Sequence, residues 1–225
     1  MSRSSITSRQ TLNQASNYFR NSDDFTQATW TKENISATTT TQGNPLSIEL
    51  PDVTCSVMTE NSSLTFHSVY PTTLTTLTAG HWWTLSCYLK KNTRNYGGVY
   101  IDMGAGNNYT IINLTTFDVT ATATSPSTHM ILNSVERCQN GWGRVVMSML
   151  QKTSVVVLPR VLISNNGTST IYTGDGTSGI YTWRAQLVNA NWAGEPTQTG
   201  ASPITTPIRN IVTSRSSIAS RAAIT

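Results

Sequence analysis

The chain has 225 residues, a net charge of +4 and only 12% charged residues. Disordered chains combine low hydrophobicity with high net charge, so 37% hydrophobic residues and six tryptophans favour a folded domain instead. No run approaches the roughly 18 apolar residues that a membrane-spanning helix needs. The first residues also lack the apolar stretch of a secretory signal. We therefore expect a protein that is made in the cytoplasm and has no membrane segment.

The positive charge is concentrated at the two ends of the chain. Residues 1–20 and residues 201–225 carry three arginines each and no acid, whereas residues 21–200 hold nine basic and eleven acidic residues. This distribution predicts an N-terminal arm over 1–20, a body over 21–200 and a C-terminal arm over 201–225. Basic arms on a near-neutral body indicate docking on an acidic surface of a protein or nucleic acid, and a solvated tail is the alternative.

One octapeptide occurs almost unchanged in both arms. Ser2–Arg9 reads SRSSITSR and Ser214–Arg221 reads SRSSIASR. A chance match between two serine-rich segments is one explanation. The other is that both arms offer the same short strand to equivalent grooves on a partner, where backbone hydrogen bonds supply the affinity. The residues that we expect to dock are Arg3, Ile6, Arg9, Arg209, Arg215, Ile218 and Arg221.

Between the arms, the sequence predicts a series of short strands. Each one alternates apolar and polar residues and is bounded by turn residues. The predicted strands cover residues 53–58, 64–70, 82–90, 99–103, 109–113, 117–121, 129–138, 142–149, 155–163 and 180–188. Before them, Phe25 is expected to anchor the segment 21–50 on the core. The residues that we assign to the core or to a structural role are Trp30, Trp83, Trp142, Trp183 and Leu187.

Four local features refine this prediction. Residues 60–63 favour a hairpin turn between the first two strands, and Asn140-Gly141 favours another because both residues accept positive φ angles. Pro159 indicates an edge strand or a bulge, since proline cannot donate to a sheet ladder. The alternation in 180–188 places Trp183 and Leu187 on one face, with Arg184 on the other. We expect this last strand to lie centrally in its sheet.

The strands recur at intervals near the 8–12 residues that are typical of β-sandwiches. No segment shows a helical period over three turns. The sequence therefore predicts an all-β fold, an antiparallel two-sheet β-sandwich of jelly-roll type with extended N- and C-terminal arms.

Four segments, in this order along the body, resemble the lectin-like jelly-roll module of tailed-bacteriophage virion proteins. The module is similar to concanavalin-like and carbohydrate-binding sandwiches. The matching segments are Asn21–Phe25 (NSDDF) with Thr29–Thr31 (TWT), Trp83–Lys90 (WTLSCYLK), Asn140–Val145 (NGWGRV), and Tyr181–Leu187 (YTWRAQL) with Glu195–Thr197 (EPT). Two positions depart from the pattern, because Val188 stands where it usually has Glu and Arg184 where it usually has a small residue.

The resemblance implies a place in a virion, where such modules occur as capsid decoration proteins, head fibres and tail fibres. We therefore expect a capsid decoration or cement protein on the capsid or tail surface, made in the host cytoplasm. It would bind the major capsid protein or other virion proteins and itself, as a homo-oligomer for which a trimer is the natural guess. The alternatives are a receptor-binding or carbohydrate-binding fibre module and, more weakly, a glycan-degrading enzyme. The family has no single activity, so the resemblance bears on fold and setting more than on role.

Residues with catalytic or metal-binding chemistry are sparse. His67, His81 and His129 stand alone on different segments, and no nucleophile or phosphate-loop motif is present. We expect no enzyme activity, no catalytic residues, no metal and no cofactor, and no specific nucleic acid as partner. Asp175 lies in a glycine-rich turn that could hold calcium, but we favour the alternative that the aspartate caps its own backbone.

Host-surface glycan remains a possible ligand, because exposed aromatic rings stack on sugar faces. The candidates for contact with a glycan or with a protein are Trp82, Tyr96, Tyr100 and Tyr109. Trp82 alternates with Trp83, so one of the two should point away from the core. The three cysteines, Cys55, Cys87 and Cys138, are odd in number and widely spaced, so we expect buried, reduced thiols, with one disulfide as the alternative.

Overall fold

The computed structural model describes residues 15–206, apart from Ala105 and Pro196. All seven arm residues that we expect to dock lie outside the described residues. Within them, the chain forms strands joined by turns and one 3₁₀ turn over Gln139–Gly141. The strands are β1 (Ala15–Asn17), β2 (Trp30–Glu33), β3 (Ile35–Gln42), β4 (Val53–Glu60), β5 (Leu64–Thr65), β6 (Ser68–Pro71), β7 (Thr75–Leu77), β8 (Trp82–Lys91), β9 (Tyr96–Asp102), β10 (Asn107–Asn113), β11 (Val119–Ala123), β12 (Thr128–Arg137), β13 (Trp142–Gln151), β14 (Val155–Ser164), β15 (Tyr172–Thr173), β16 (Gly179–Val188) and β17 (Ile204–Thr206).

Two large antiparallel sheets pack face to face, which confirms the predicted all-β sandwich. The six-stranded sheet has the order β12-β13-β8-β16-β4-β3. The seven-stranded sheet has the order β11-β10-β9-β14-β6-β2, with β7 also pairing with β14. Two short ribbons, β1-β17 and β15-β5, complete the pairing in the described range. The predicted central place of β16 is confirmed, because it lies between β8 and β4.

The core lies between the two sheets and is built from one face of each strand. On β8, the inner residues are Trp83, Leu85, Cys87 and Leu89, as the alternation predicts. The seven-stranded sheet contributes Val99, Ile101, Val161 and Ile163 among others. Burial of such aliphatic and aromatic side chains is the main driving force for packing two sheets together. No helix in the described part of the chain is long or apolar enough to span a bilayer.

The predicted hairpin over residues 60–63 is wrong. β4 belongs to the six-stranded sheet and β6 to the seven-stranded sheet, so the chain crosses from one sheet to the other here. The predicted strand 64–70 is also interrupted at His67, which is buried. Its ring nitrogens lie 2.9 Å from the carbonyl oxygen of Asn34 and 3.2 Å from that of Tyr172. These contacts between the His67 ring and the backbone, rather than strand pairing, fix the crossover segment at this position.

Pro159 lies neither at an edge nor at a bulge. It pairs with Ile101 in an unbroken register with β9. On its other side, β14 pairs with β7 over 155–157 and with β6 at 161–162, and no ladder partner is present between them. The proline therefore lies beside a gap between two short neighbouring strands, and a residue without an N–H is tolerated where the ladder is open on one side.

The alternation predicted for β16 holds within each half of the strand but is broken in the middle. Arg184 adopts φ 46°, and the register with β8 shifts between Trp183 and Gln186. This β-bulge inserts one extra residue. The residues after it therefore project to the face opposite to the one that strict alternation predicts. Leu187 consequently lies in the central core, whereas Trp183 lies on the outer face of the six-stranded sheet.

The Asn140-Gly141 turn joins β12 to β13 as predicted, with φ of 55° and 75°. Its loop has three residues rather than two, since the backbone N–H of Cys138 bonds to the carbonyl oxygen of Trp142 at 2.9 Å. All three cysteines are free thiols. Burial raises the pKa of Cys55 to about 11 and raises that of Cys87 as well, so both behave as small apolar groups at neutral pH.

Candidate functional site

The two arms leave the domain side by side. β1 and β17 pair in antiparallel fashion, with Ala15 opposite Thr206 and Asn17 opposite Ile204. Paired Cα atoms in such a ladder are about 5 Å apart. The chain before Ala15 and the chain after Thr206 therefore start from adjacent points, although the two octapeptides are more than 200 residues apart in sequence.

The base of this ribbon is fixed to the sandwich, and the predicted arms are shorter than expected. Asn17 and Phe19 are fully buried, so the folded domain begins at residue 15 and not at 21. The Asn17 side chain donates to the carbonyl oxygen of Ala185 at 3.3 Å and accepts from the N–H of Leu187 at 3.2 Å. The backbone of Tyr18 also donates to the carbonyl oxygen of Leu187 at 2.9 Å. This polar segment is ordered because β16 supplies hydrogen-bond partners for the Asn17 side chain and for the Tyr18 backbone.

A reciprocal pair of hydrogen bonds joins the two termini further in. The N–H of Ser22 donates to the hydroxyl of Thr199 at 3.1 Å, and the N–H of Thr199 donates to the hydroxyl of Ser22 at 3.1 Å. Asn21 adds a backbone bond to Gly200 at 2.8 Å. Both roots are thus held in one fixed geometry before either arm begins.

The four aromatic residues predicted for glycan or protein contact do not all lie on one surface. Trp82 lies on the outer face of the six-stranded sheet, and Trp83 fills the core beside it. Tyr96, Tyr100 and Tyr109 lie together on the outer face of the seven-stranded sheet. Trp82 is therefore on the opposite side of the sandwich from the three tyrosines, and a single binding surface cannot include all four.

Tyr100 is also too buried to stack on a ligand. It is 3% exposed, because the ring of Phe66 packs on it at 5.3 Å and the ring of Tyr109 stacks on it at 6.0 Å. Arg160 covers the same cluster, with its guanidinium 5.2 Å from the Phe66 ring and 4.5 Å from the Tyr70 ring. The five residues assigned to the core are all buried: Trp30, Trp83, Trp142, Trp183 and Leu187.

A pocket of about 500 Å³ opens on the outer face of the six-stranded sheet. Its floor is a row of residues on neighbouring strands, because Glu136 pairs with Arg144 and Arg144 pairs with Tyr88. Paired residues in an antiparallel sheet project from the same face. The Arg144 guanidinium lies 5.3 Å from the centre of the Tyr88 ring and is almost fully buried.

Arg144 is held at the floor by polar neighbours. It donates to Gln186 at 3.1 Å and to Ser86 at 3.3 Å, and it forms an ion pair with Glu136 at 3.5 Å. Burial raises the pKa of Tyr88 to about 12, so its hydroxyl is neutral at physiological pH and can both donate and accept a hydrogen bond. The floor thus offers donors and acceptors in a fixed arrangement.

Two loops form the walls of the pocket. Pro45 and Leu46 stand on one side, and the segment Trp192–Glu195 stands on the other. The first loop is fixed because the Trp142 indole N–H donates to the carbonyl oxygen of Gly43 at 2.8 Å and the N–H of Gln139 donates to that of Pro45 at 3.0 Å.

The second loop carries the exposed aromatic residue of the pocket. Trp192 is 45% exposed, and its ring covers Gly194, which has φ 63°. The Gln186 side chain donates to the carbonyl oxygen of Glu195 at 3.4 Å, and Thr84 donates to that of Ala190 at 2.7 Å. Sequence reasoning missed Trp192 because it follows the last predicted strand, and no local pattern shows that its loop folds back over the sheet.

A buried carboxylate outside this pocket has a structural role. Glu60 is 1% exposed and accepts from Arg94 through both oxygens, from the Tyr172 hydroxyl at 2.6 Å and from the N–H of Asp175 at 2.8 Å. Asp175 in turn accepts from Ser178 and from the N–H of Thr177, and these hydrogen bonds hold its pKa below the ordinary range. The turn that could hold calcium is therefore one in which the aspartate caps its own backbone. Among the described residues, no three His, Cys, Asp or Glu side chains group to hold a metal ion.

Comparison of the chain with models of protein families found no match, and comparison with curated proteins found none either. The resemblance to the phage module therefore depends on the sequence motifs alone.

Proposed function

We propose that this chain is a structural protein of a tailed-phage virion, a decoration or cement protein that grips neighbouring subunits with its two arms. The observation that carries the proposal is the β1-β17 ribbon, which places the roots of both arms at one point of the sandwich. A sandwich with two basic arms at one site can hold a partner surface while the rest of the domain faces away from it.

The length and charge of the arms suit this role. Fourteen residues precede Ala15 and nineteen follow Thr206. Extended chains of those lengths reach at most about 50 Å and about 65 Å. The residues before Ala15 and after Thr206 include five arginines and no acid, so the arms favour acidic surfaces on a partner. The matching octapeptides then fit a partner that repeats the same groove, as a symmetric shell does.

Binding by two arms from one root gains from multivalency. Once the first arm is bound, the second is confined near its own groove at a high effective concentration. The fixed root geometry strengthens this effect, because the hydrogen bonds of Asn17, Ser22 and Thr199 have already ordered the starting points. Avidity of this kind can exceed the affinity of either arm by about 10²–10⁴.

A mechanical role also agrees with the state of three glutamates. Glu60 is saturated by donors, Glu33 is paired with Arg160, and Glu136 is paired with Arg144. Glycoside hydrolysis needs one carboxyl that can donate a proton and a second that acts as base or nucleophile. We therefore favour the structural role over the glycan-degrading enzyme.

The test is binding to particles of the encoding phage that were assembled without this chain. We expect the full chain to co-sediment with these particles, deletion of 1–10 or of 214–225 to weaken binding about 100-fold or more, and deletion of both to abolish it. None of the deleted residues belongs to the folded range 15–206, so circular dichroism should show an unchanged domain.

The octapeptides provide a matched control. Thr7→Ala makes the first repeat identical to the second and should leave binding unchanged. The double substitution Ile6→Asp and Ile218→Asp should weaken binding as strongly as deletion of both arm ends. Full binding by the doubly truncated chain would overturn the proposal.

A further inference from the structure

The pocket on the six-stranded sheet has an acidic and apolar rim that matches the composition of the arms. We propose that it binds the octapeptide of a neighbouring copy of this chain, with one arginine of that segment between the ring of Trp192 and the carboxylates of Glu136 and Glu195. The inference rests on the proposed function in one respect, namely that the arms grip neighbouring molecules. It adds the site that one arm grips and names the neighbour as a second copy.

The first support is the charge of the pocket. Two carboxylates, those of Glu136 and Glu195, and one guanidinium, that of Arg144, line it. The Arg137 side chain makes no contribution, because its guanidinium lies 5.8 Å from the centre of the Phe117 ring, on the other side of the sheet. The remaining charge is negative, and it favours a cationic ligand over an anionic one.

The second support is that both carboxylates have acceptor capacity left. Within the described ranges, the Glu195 carboxylate accepts no hydrogen bond and forms no ion pair, and that of Glu136 accepts only from Arg144, at 3.5 Å. Burial is the largest cause of the raised pKa of Tyr88, and the negative charges of Glu136 and Glu195 raise it further. Both carboxylates therefore lie near the same ring at the floor, where a guanidinium has enough donors to bond to both.

The third support is the exposed apolar surface beside the carboxylates. Trp192 and Leu46 are exposed on opposite walls, and Ile48 is exposed two residues further along the Leu46 loop. A guanidinium within about 6 Å of an indole ring gains cation–π attraction. Exposed apolar side chains that are grouped at one place are typical of an interaction surface. The octapeptide offers the matching groups, because it has one isoleucine between two arginines.

The fourth support is that the pocket is built before any ligand arrives. Hydrogen bonds fix both walls, because the indole of Trp142 donates to the carbonyl oxygen of Gly43 and the side chain of Gln186 donates to that of Glu195. A fixed site loses little conformational entropy when it binds. The volume of about 500 Å³ lies within the range of about 300–1,000 Å³ that is usual for ligand sites.

The arms are long enough to reach the pocket of a neighbour. Arg3 lies twelve residues before Ala15, and Arg221 lies fifteen residues after Thr206. Extended chains of those lengths span about 40 Å and about 50 Å. A compact domain of this size has a radius of gyration of about 16 Å, so either arm can cross to an adjacent copy. The pocket takes one octapeptide, which leaves the second octapeptide of each copy for the shell.

The test is the mixing of two full-length variants with complementary defects. The arm variant has Gln in place of the four octapeptide arginines, Arg3, Arg9, Arg215 and Arg221. The pocket variant keeps its arms and carries Trp192→Ala with Glu195→Gln. Both of these side chains are exposed, so its urea unfolding midpoint should stay unchanged. In sedimentation velocity, we expect each variant alone to show no association and the mixture to form a larger species, which weakens as NaCl is added.

The matched control adds Trp82→Ala and Asp118→Asn to the arm variant, which removes an outer tryptophan and an exposed acid that do not line the pocket. This control should still form the complex with the pocket variant. Adding Trp192→Ala and Glu195→Gln to the arm variant instead should weaken the complex about tenfold or more. The proposal is overturned if the mixture forms no complex, if the pocket substitutions leave the complex unchanged, or if the control loses it.

The same variants separate this inference from the proposed function. The pocket variant keeps both arms, so it should still co-sediment with particles that were assembled without this chain. Particle binding by the pocket variant without a complex in the mixture would contradict only the pocket contact. A complex in the mixture without particle binding by the unaltered chain would contradict only the role in the virion.

Discussion

The two outer faces of the sandwich use the same chemical unit in different ways. Each has a buried arginine that lies over an aromatic ring and pairs with a carboxylate. On the seven-stranded sheet, Arg160 lies 4.5 Å from the Tyr70 ring and pairs with Glu33. On the six-stranded sheet, Arg144 lies 5.3 Å from the Tyr88 ring and pairs with Glu136.

The difference lies in what surrounds each arginine. Arg160 is closed in, because Phe66 and Tyr70 cover it and Asp102 lies 4.0 Å from it as a second acid. Around Arg144, the loops stand apart and leave the pocket open above the floor. The Glu136 side chain is 54% exposed, whereas that of Glu33 is 26% exposed. An arginine on a sheet therefore becomes a structural tie or the floor of a site according to the loops around it.

The largest expected effect comes from removing each arginine in turn. Arg160→Met leaves Glu33 without its partner in a covered site, and we expect a loss of about 3 kcal/mol in the free energy of unfolding. Arg144→Met leaves Glu136 open to water but also takes a donor from the buried Ser86 and Gln186, and we expect a smaller loss of about 2 kcal/mol. Urea unfolding at pH 7 measures both. Equal losses would mean that the two faces are equally closed.

A smaller effect is expected at the pocket wall. Gly194 has φ 63°, and an added Cβ would lie 3.1 Å from the Trp192 ring. We expect Gly194→Ala to cost about 2 kcal/mol in the free energy of unfolding, because contact with the Trp192 ring adds to the backbone strain. Gly176→Ala is the control, since Gly176 has φ 81° with no atom within 4 Å of the added Cβ. It should cost only the backbone strain, about 1 kcal/mol in urea unfolding, and equal losses at the two glycines would contradict the packing of the Trp192 ring on Gly194.

The smallest expected effect is the late ionisation of one buried tyrosine on each outer face. Burial raises the pKa of Tyr88 and of Tyr100, each to about 12, whereas an unfolded tyrosine titrates near 10. The stability that the neutral phenols contribute is fully present below about pH 10 and is lost as the pH rises through the folded pKa. In an alkaline titration of tyrosinate absorbance, Tyr88→Phe and Tyr100→Phe should each remove one late-ionising group. Loss of an early-ionising group instead would show that the ring is open to water.

The sequence predicts most strands because each has its own alternation and its own turn residues. The inner face of β8 is read correctly from residues 82–90 alone. The faces of β16 are not, because the bulge at Arg184 depends on pairing with β8 and has no local signal. The gap at Pro159 is missed for the same reason, since β6 and β7 come from a distant part of the chain.

The candidate sites depend even more on tertiary pairing. The octapeptide repeat is visible in the sequence, but the adjacency of its roots is not, since β1 and β17 are three-residue strands in polar segments. The pocket combines four separate segments that contain Leu46, Tyr88, Arg144 and Trp192. Burial of Tyr100 follows from its contacts with Phe66 and Tyr109, which no period-2 pattern encodes.

The most direct test of the proposed virion role is a cryo-electron microscopy map of the phage particle to which the proposal assigns this chain. We predict that the sandwich lies on the particle surface with the β1-β17 ribbon towards the shell, that residues 1–14 and 207–225 run along neighbouring subunits, and that the pocket faces outwards. A map in which both arms point into solvent, or in which the sandwich contacts the shell through the pocket face, would contradict the account.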